Sequence, residues 1–344
     1  MRFRRSMATI SFNPRPNLQA TNNHSHQHGV VVEEIEGFIR VHKNGYIERH
    51  SIIPSVPCTT ATARDVVIDK FSNLWARIYV PSHPGANNLP VLLYFHGGGF
   101  CVGSAAWSCY HEFLSNLACK ASCVIVSVNY RLAPENRLPA AYDDGVNAVM
   151  WVKQQALSQS CEQKWWLSRC NLSSFFISGD SAGANIAYNV TTRLSNEHSV
   201  LKPLRLKGTV LIQPFFGGEA RTWSEKHATQ PPHSALTLSN SDVYWRLSLP
   251  LGANRDHPWC NPLANGLAKL RDLRLPAIMV CVSELDILKD RNLELCNVLT
   301  RLGKMVETVT YEGVGHAFQV LHNSQLSHPR TQELVSHIKV FINQ

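Results

Sequence analysis

Hydrophobic positions along the chain switch between two periods. Short apolar or β-branched runs of strand length alternate with longer stretches whose apolar residues recur roughly every three to four positions. Val91–Phe95, Val124–Val128, Ser174–Ser178, Val210–Ile212, Ala277–Val282 and Val306–Tyr311 read as strands. Ser108–Lys120, Pro139–Gln155, Ala184–Val190, Leu288–Leu302 and a last segment from Arg330 read as helices. Nearer the start, Phe38–Glu48 alternates in polarity around Asn44-Gly45, a hairpin turn, and Asp65–Lys70 and Leu74–Val80 read as further strands. Strands alternating with helices predict an α/β fold, with a mostly parallel central sheet and helices on both of its faces.

Two stretches break the pattern. Residues 214–262 carry Gly217, Gly218, Pro231, Pro232, Pro250 and Pro258 and one helical segment, Ser241–Leu249. They read as an insertion over the edge of the sheet rather than another β/α repeat. Residues 1–29 hold Arg2, Arg4, Arg5 and Arg15, no acidic residue, and a polar Asn/His/Ser run. They read as a disordered tail outside a domain spanning 30–344, and their composition also fits a plastid or mitochondrial transit peptide.

Composition narrows the class without naming a function. At 344 residues, 44% hydrophobic, the chain can build one large α/β domain. No apolar run approaches the roughly 18 residues of a membrane span. The net charge is +8, but the basic residues are scattered apart from Arg2-Phe3-Arg4-Arg5, which argues against a nucleic-acid surface. The ten cysteines show no C-x-x-C pair and no zinc spacing, so reduced thiols, a cytoplasmic home and no metal are expected.

The chemistry is concentrated at strand ends. Gly179-Asp180-Ser181-Ala182-Gly183 fits G-x-S-x-G, the turn that lifts a serine clear of a sheet, and it lies between a predicted strand and a predicted helix. Serine needs a base, and the base needs an orienting group. In the order Ser, acid, His, two later segments supply them. Ser283-Glu284-Leu285-Asp286 follows the strand Ala277–Val282, and Gly315-His316 follows the strand ending at Tyr311. Ser181 is read as nucleophile, His316 as base and Asp286 as the orienting carboxylate, with Glu284 and Asp290 as rivals for that last role. Oxyanion donors are expected from the N–H groups of Ala182 and of Gly97-Gly98-Gly99, where backbone without side chains can approach a substrate. Gly98 and Gly99 are favoured over Gly97. His96 is expected to fix this loop by hydrogen bonding. Phe100, Trp107, Phe215, Phe216, Trp223, Tyr244 and Trp245 are candidates for an apolar pocket, each with the core as its alternative.

Four ordered motifs carry a resemblance. His96-Gly97-Gly98-Gly99-Phe100, Tyr130-Arg131-Leu132-Ala133-Pro134-Glu135, Gly179–Gly183 and Gly315-His316-Ala317-Phe318 resemble the hormone-sensitive-lipase branch of α/β-hydrolases. Val31–Gly37 and Asp256–Pro262 bring the chain closer to plant carboxylesterases. The resemblance runs from about residue 30 to the end. It implies a cap over the site, built from about 30–60 and 214–262. It also implies a serine carboxylesterase without cofactor, acting on small to medium uncharged esters. The expected partner is that small-molecule ester alone, with no nucleic acid and no membrane span, on a monomer or weak homodimer. The branch is not uniform. The gibberellin receptor has a similar fold without the triad histidine, and some legume hydroxyisoflavanone dehydratases resemble it with threonine as nucleophile. Certain alkaloid cyclases use the same scaffold. His316 and Ser181 favour hydrolysis here, leaving a dehydratase, cyclase, acyltransferase or receptor as the alternatives.

Overall fold

In a computed structural model of the protein, residues 29–58, 62–82, 87–158, 161–196, 200–230, 234–264 and 266–344 are described. The expected tail lies outside them except for Gly29.

Strands β1 (Val31–Ile35), β2 (Ile39–His42) and β3 (Ile47–Arg49) form a small antiparallel sheet in that order. The hairpin read at Asn44-Gly45 joins β2 to β3. The main sheet holds β4 (Ala63–Asp69), β5 (Leu74–Tyr79), β6 (Leu89–Phe95), β7 (Val124–Asn129), β8 (Cys170–Asp180), β9 (Leu206–Ile212), β10 (Ala277–Ser283) and β11 (Val306–Tyr311). Its order is β11-β10-β9-β8-β6-β7-β5-β4. Pairs from β11 across to β7 are parallel, while β5 runs antiparallel to both β7 and β4. The mostly parallel sheet therefore ends in an antiparallel edge.

Wholly apolar strands imply a sheet covered on both sides. On β6, Val91, Leu93 and Phe95 enter one core while Leu92 and Tyr94 enter another, as a period of two requires. The first core is covered by α2 (Ala140–Ser158), α4 (Ala182–Leu194) and α8 (Lys289–Arg301), through residues such as Val149, Ile186 and Leu295. The second is covered by α1 (Ser108–Ala121) and α10 (Ser327–Ile342), through Leu117 and Ile338.

Between β9 and β10 lie three shorter helices, α5 (Trp223–His227), α6 (Leu238–Ser248) and α7 (Leu267–Asp272). The helix expected at Ser241–Leu249 begins three residues earlier. The Thr237 side chain accepts the Asn240 N–H there and satisfies one of the unpaired donors of its first turn. The helix expected from Arg330 likewise begins at Ser327. Two other short helices, α3 (Lys164–Leu167) and α9 (Phe318–Leu321), complete the set used below.

Candidate active site

Ser181 sits in the turn from β8 to α4, with φ 52° and ψ −120°. A non-glycine residue rarely adopts this conformation, and it persists only where the surroundings hold it. Two backbone bonds do so. The Ser181 N–H donates to Ile212 O at 2.8 Å, and Ser181 O accepts the Phe215 N–H at 3.0 Å. The flanking glycines have a measurable reason. A Cβ on Gly183 would lie 2.0 Å from Phe95 O, and one on Gly179 would lie 2.4 Å from the Gly183 carbonyl. Strand β6, strand β8 and helix α4 meet there with no room for a methyl group.

The loops after β10 and β11 bring two more side chains to Ser181. His316 Nδ1 lies 2.7 Å from Asp286 Oδ2, and His316 Nε2 lies 2.8 Å from Ser181 Oγ. A carboxylate can only accept, so Nδ1 carries the proton. In the neutral ring Nε2 is then the acceptor, facing the serine hydroxyl. His316 and Asp286 are buried, 4% and 1% exposed. The second carboxylate oxygen of Asp286 accepts the Leu288 N–H at 3.0 Å, which fixes its plane. The rival acids have other partners. Glu284 accepts the Gly313 N–H at 2.8 Å and so pins the loop leading to His316. Asp290 accepts the Ser224 N–H at 2.7 Å and ties α8 to α5.

The glycine triplet divides. Gly97 is expected as a donor only behind Gly98 and Gly99, and its geometry speaks against that role. Its N–H points inward, to Tyr110 Oη at 2.8 Å and Asp180 Oδ1 at 3.1 Å, so it is not free to meet a substrate. Gly98 and Gly99 have φ of +113° and +57° and border the cleft with Ser181. Among the described residues, no hydrogen bond takes the N–H of Gly98, Gly99 or Ala182. For Ala182 this follows from its place as the first residue of α4, where no carbonyl precedes it in helical register.

Asp180 is the brace of this loop, a role that sequence reasoning missed. Its carboxylate accepts from Tyr94 Oη at 2.8 Å and from Tyr110 Oη at 3.0 Å, besides Gly97. Burial pushes its pKa up to about 6 in spite of these donors. His96 anchors the same loop. Its Nδ1 lies 2.8 Å from Gly97 O, and its ring stacks on Tyr130 at 4.4 Å. Burial lowers its pKa to about 4, so the ring is neutral and donates to that carbonyl. Asp180 stands inside the serine motif, where its polarity at the end of a buried strand was the available signal. Gln213, at the end of β9, carried none. Its Oε1 accepts the Ala317 N–H at 2.7 Å, and its Nε2 donates to Ser283 Oγ at 2.6 Å.

A cleft enclosing ≈ 660 Å³, counting its open mouth, reaches Ser181. It is lined by Phe38, Ile52 and Ile53, by Phe215, Leu236 and Tyr244, and by Val320 and Leu321 of α9. No Lys, Arg or Glu lines it among the described residues. Of the aromatic candidates, Trp107, Phe215 and Tyr244 border this space. Phe100, Phe216 and Trp245 pack in the core instead, and Trp223 is 65% exposed. Among the described residues, no three His, Cys, Asp or Glu side chains are grouped as metal ligands, and no helix is long and apolar enough to cross a membrane.

The profile of a family described by the alpha/beta hydrolase fold matches residues 92–320, which hold the serine, acid and histidine together. The chain is 45% identical over 329 residues to probable carboxylesterase 6 of Arabidopsis thaliana, covering 93% of this chain and 94% of that one. It is 31% identical to an Arabidopsis gibberellin receptor, over 91% and 90% of the two chains. The crystal structure of EstE1, a thermostable carboxylesterase from a metagenomic library, superimposes with a TM-score of 0.68 at 27% identity. That match covers 83% of this chain and 91% of the other. The chain belongs to the α/β-hydrolase fold family, in the branch that includes the plant carboxylesterases.

Proposed function

We propose that the protein is a serine carboxylesterase that cleaves small to medium uncharged esters through an acyl-enzyme. One observation carries this reading. An unbroken hydrogen-bonded line runs from Asp286 through His316 to Ser181, beside a loop with free backbone donors.

A serine hydroxyl is a poor nucleophile until a base takes its proton. His316 Nε2 is within reach to do so as Oγ attacks the ester carbonyl carbon. The resulting imidazolium is stabilised by Asp286. Negative charge moves onto the former carbonyl oxygen, where the N–H groups of Gly98, Gly99 and Ala182 receive it. Each such donor is worth roughly 2.7–4 kcal/mol of barrier. The imidazolium then gives its proton to the departing alkoxide, and the alcohol leaves. Water then attacks the acyl carbonyl carbon while Nε2 takes its proton; the acyl–Oγ bond breaks, Ser181 Oγ recovers the proton from His316, and the acid is freed. Every proton in the cycle sits on Ser181, His316, substrate or water, so the scheme calls on no cofactor.

The lining argues against an anionic substrate, since among the described residues no Lys or Arg borders the cleft. We read residues 30–60 and 214–262 as a cap, because Phe38, Ile52 and Ile53 from the first and Phe215, Leu236 and Tyr244 from the second wall the cleft. The relative named as a hormone receptor makes ligand binding without turnover the competing reading. The serine at 181 and histidine at 316 favour turnover.

Purified protein is expected to hydrolyse p-nitrophenyl acetate and butyrate, and Ser181→Ala to abolish this while leaving the fold intact. Full activity in the Ser181→Ala protein refutes the assignment. Saturable ester binding with neither turnover nor labelling by a fluorophosphonate favours the receptor reading.

A further inference from the structure

The end of β9 touches all three loops that carry the proposed triad. Ile212 O accepts the Ser181 N–H at 2.8 Å. The next residue, Gln213, is 1% exposed and held at φ 47°, with its own N–H on Cys281 O at 2.8 Å. Both ends of its side-chain amide are taken. Oε1 accepts the N–H of Ala317, the residue after His316. Nε2 donates to the hydroxyl of Ser283, which ends β10 and whose carbonyl accepts the Asp286 N–H at 3.3 Å. One side chain therefore spans the gap between the base loop and the acid loop.

The demand for such a span is physical. Ala317 is itself in the left-handed region, at φ 58°, and precedes α9, so no helical carbonyl meets its N–H. Without Gln213 that N–H would be buried and unpaired. The peptide between His316 and Ala317 would be free to turn, and the imidazole with it. We propose that Gln213 is a positioning residue for ester cleavage, its amide holding the His316 loop in register with the end of β10. Nε2 and Nδ1 of His316 then meet their partners together. The inference rests on Ser181, Asp286 and His316 acting as the triad.

The test compares Gln213→Leu and Ser283→Ala with wild type, using p-nitrophenyl butyrate and sites counted by fluorophosphonate titration. Gln213→Leu removes both bonds at similar volume. A misplacement near 1 Å at a reacting group costs about 10²-fold, so kcat per titrated site is expected to fall by about that factor. KM should stay within about twofold of wild type, because Gln213 does not line the cleft. Ser283→Ala breaks only the acid-side bond and should lose less, again in kcat. A lower melting temperature with unchanged kcat per site overturns the proposal, since that is all a purely structural residue would show. Should Gln213→Leu not fold, wild-type kcat per site in Ser283→Ala overturns it alone. Ser181→Ala runs alongside. If that protein stays active, the triad reading fails and takes this one with it. If it is dead while Gln213→Leu turns over normally, only the present proposal fails.

Discussion

Gly98→Ala puts the oxyanion assignment at risk in a way that can be worked from distances. A Cβ at this position would lie 2.1 Å from Val102 O and 2.7 Å from its carbonyl carbon. Both atoms are backbone, so no side chain can swing aside. The oxygen contact is about 1 Å inside the closest approach that side-chain carbons make, and the loop must move by that order. The backbone angle adds to the difficulty, since φ of +113° suits glycine and almost nothing else. Moving Gly98 moves the N–H groups of both Gly98 and Gly99 relative to Ser181 Oγ. Loss of one aligned donor is worth roughly 2.7–4 kcal/mol, or about 10²–10³ in kcat. Gly252→Ala is the matched control. Its φ is +81°, but nothing lies within 4 Å of the added carbon, and it does not line the cleft. It should lose some stability and keep its kcat. The assay is kcat on p-nitrophenyl butyrate per titrated serine, with melting temperature measured in parallel. A Gly98→Ala protein that folds and turns over within about threefold of wild type would show that the donors lie elsewhere.

Two further substitutions probe the same centre. Asp286→Asn keeps the shape at Nδ1 but replaces an acceptor with a group that can also donate, so His316 can settle in the wrong tautomer. A kcat drop of about 10⁴ with little change in KM is expected from steady-state kinetics, by analogy with the best-studied triad. Asp180→Asn tests the buried brace through pH. The Asp180 pKa is raised to about 6 in the folded protein against 3.8 as its ordinary value, so the folded state holds its proton more tightly than the unfolded state. Its favourable contribution is therefore complete below about pH 4 and is lost as pH rises through about 6. The melting temperature of wild type relative to Asp180→Asn should fall across that window. His96, with its pKa lowered to about 4, acts in the opposite sense over an overlapping range, but it is present in both proteins and cancels in the comparison. A pH-independent difference would mean that Asp180 titrates as an ordinary carboxylate.

Much of the fold was legible because it rests on local pattern. Apolar strands and three-to-four-residue helical spacing located β6 to β11 and the five long helices within a few residues. The elements that were missed are short or polar. Helix α5 has five residues, yet Thr222 and Glu225 form a capping box, a sequence signal that was present and unread. At the site, the serine, acid and histidine that the fold brings within hydrogen-bond distance could be named because strand ends order them along the chain. Gly97 was not, because three consecutive glycines look alike until the fold brings Tyr110 and Asp180 onto one of them. Gln213 was invisible for a similar reason. Its partners stand 70 and 104 residues away, and a glutamine after an apolar strand announces nothing.

The distribution of backbone strain joins these observations. Eight non-glycine residues have positive φ among the described residues. Four are ordinary. Asn73 and Asn88 tolerate the left-handed region, and Ser122 and His322 follow the ends of α1 and α9. The other four, Phe100, Ser181, Gln213 and Ala317, all lie in loops beyond the C-terminal ends of sheet strands, and Ser181 and Ala317 border the cleft. Each such residue costs about 1–3 kcal/mol and persists only if its neighbours over-determine it. Here each has a named restraint. Phe100 O takes the Ala133 N–H, Ser181 is held at both N and O, Gln213 is tied to Cys281, and Ala317 is tied to Gln213. These restraints are all made by the chain's own backbone and side chains, in loops that leave strands with long buried runs such as that of β6. The proposed reacting groups are accordingly positioned by the fold itself, which is what electrostatic stabilisation of an oxyanion requires. The apolar walls formed by Phe38, Ile52, Leu236 and Tyr244 belong to none of these strained positions. Choice of ester can therefore shift through the walls while the constellation beneath them stays fixed.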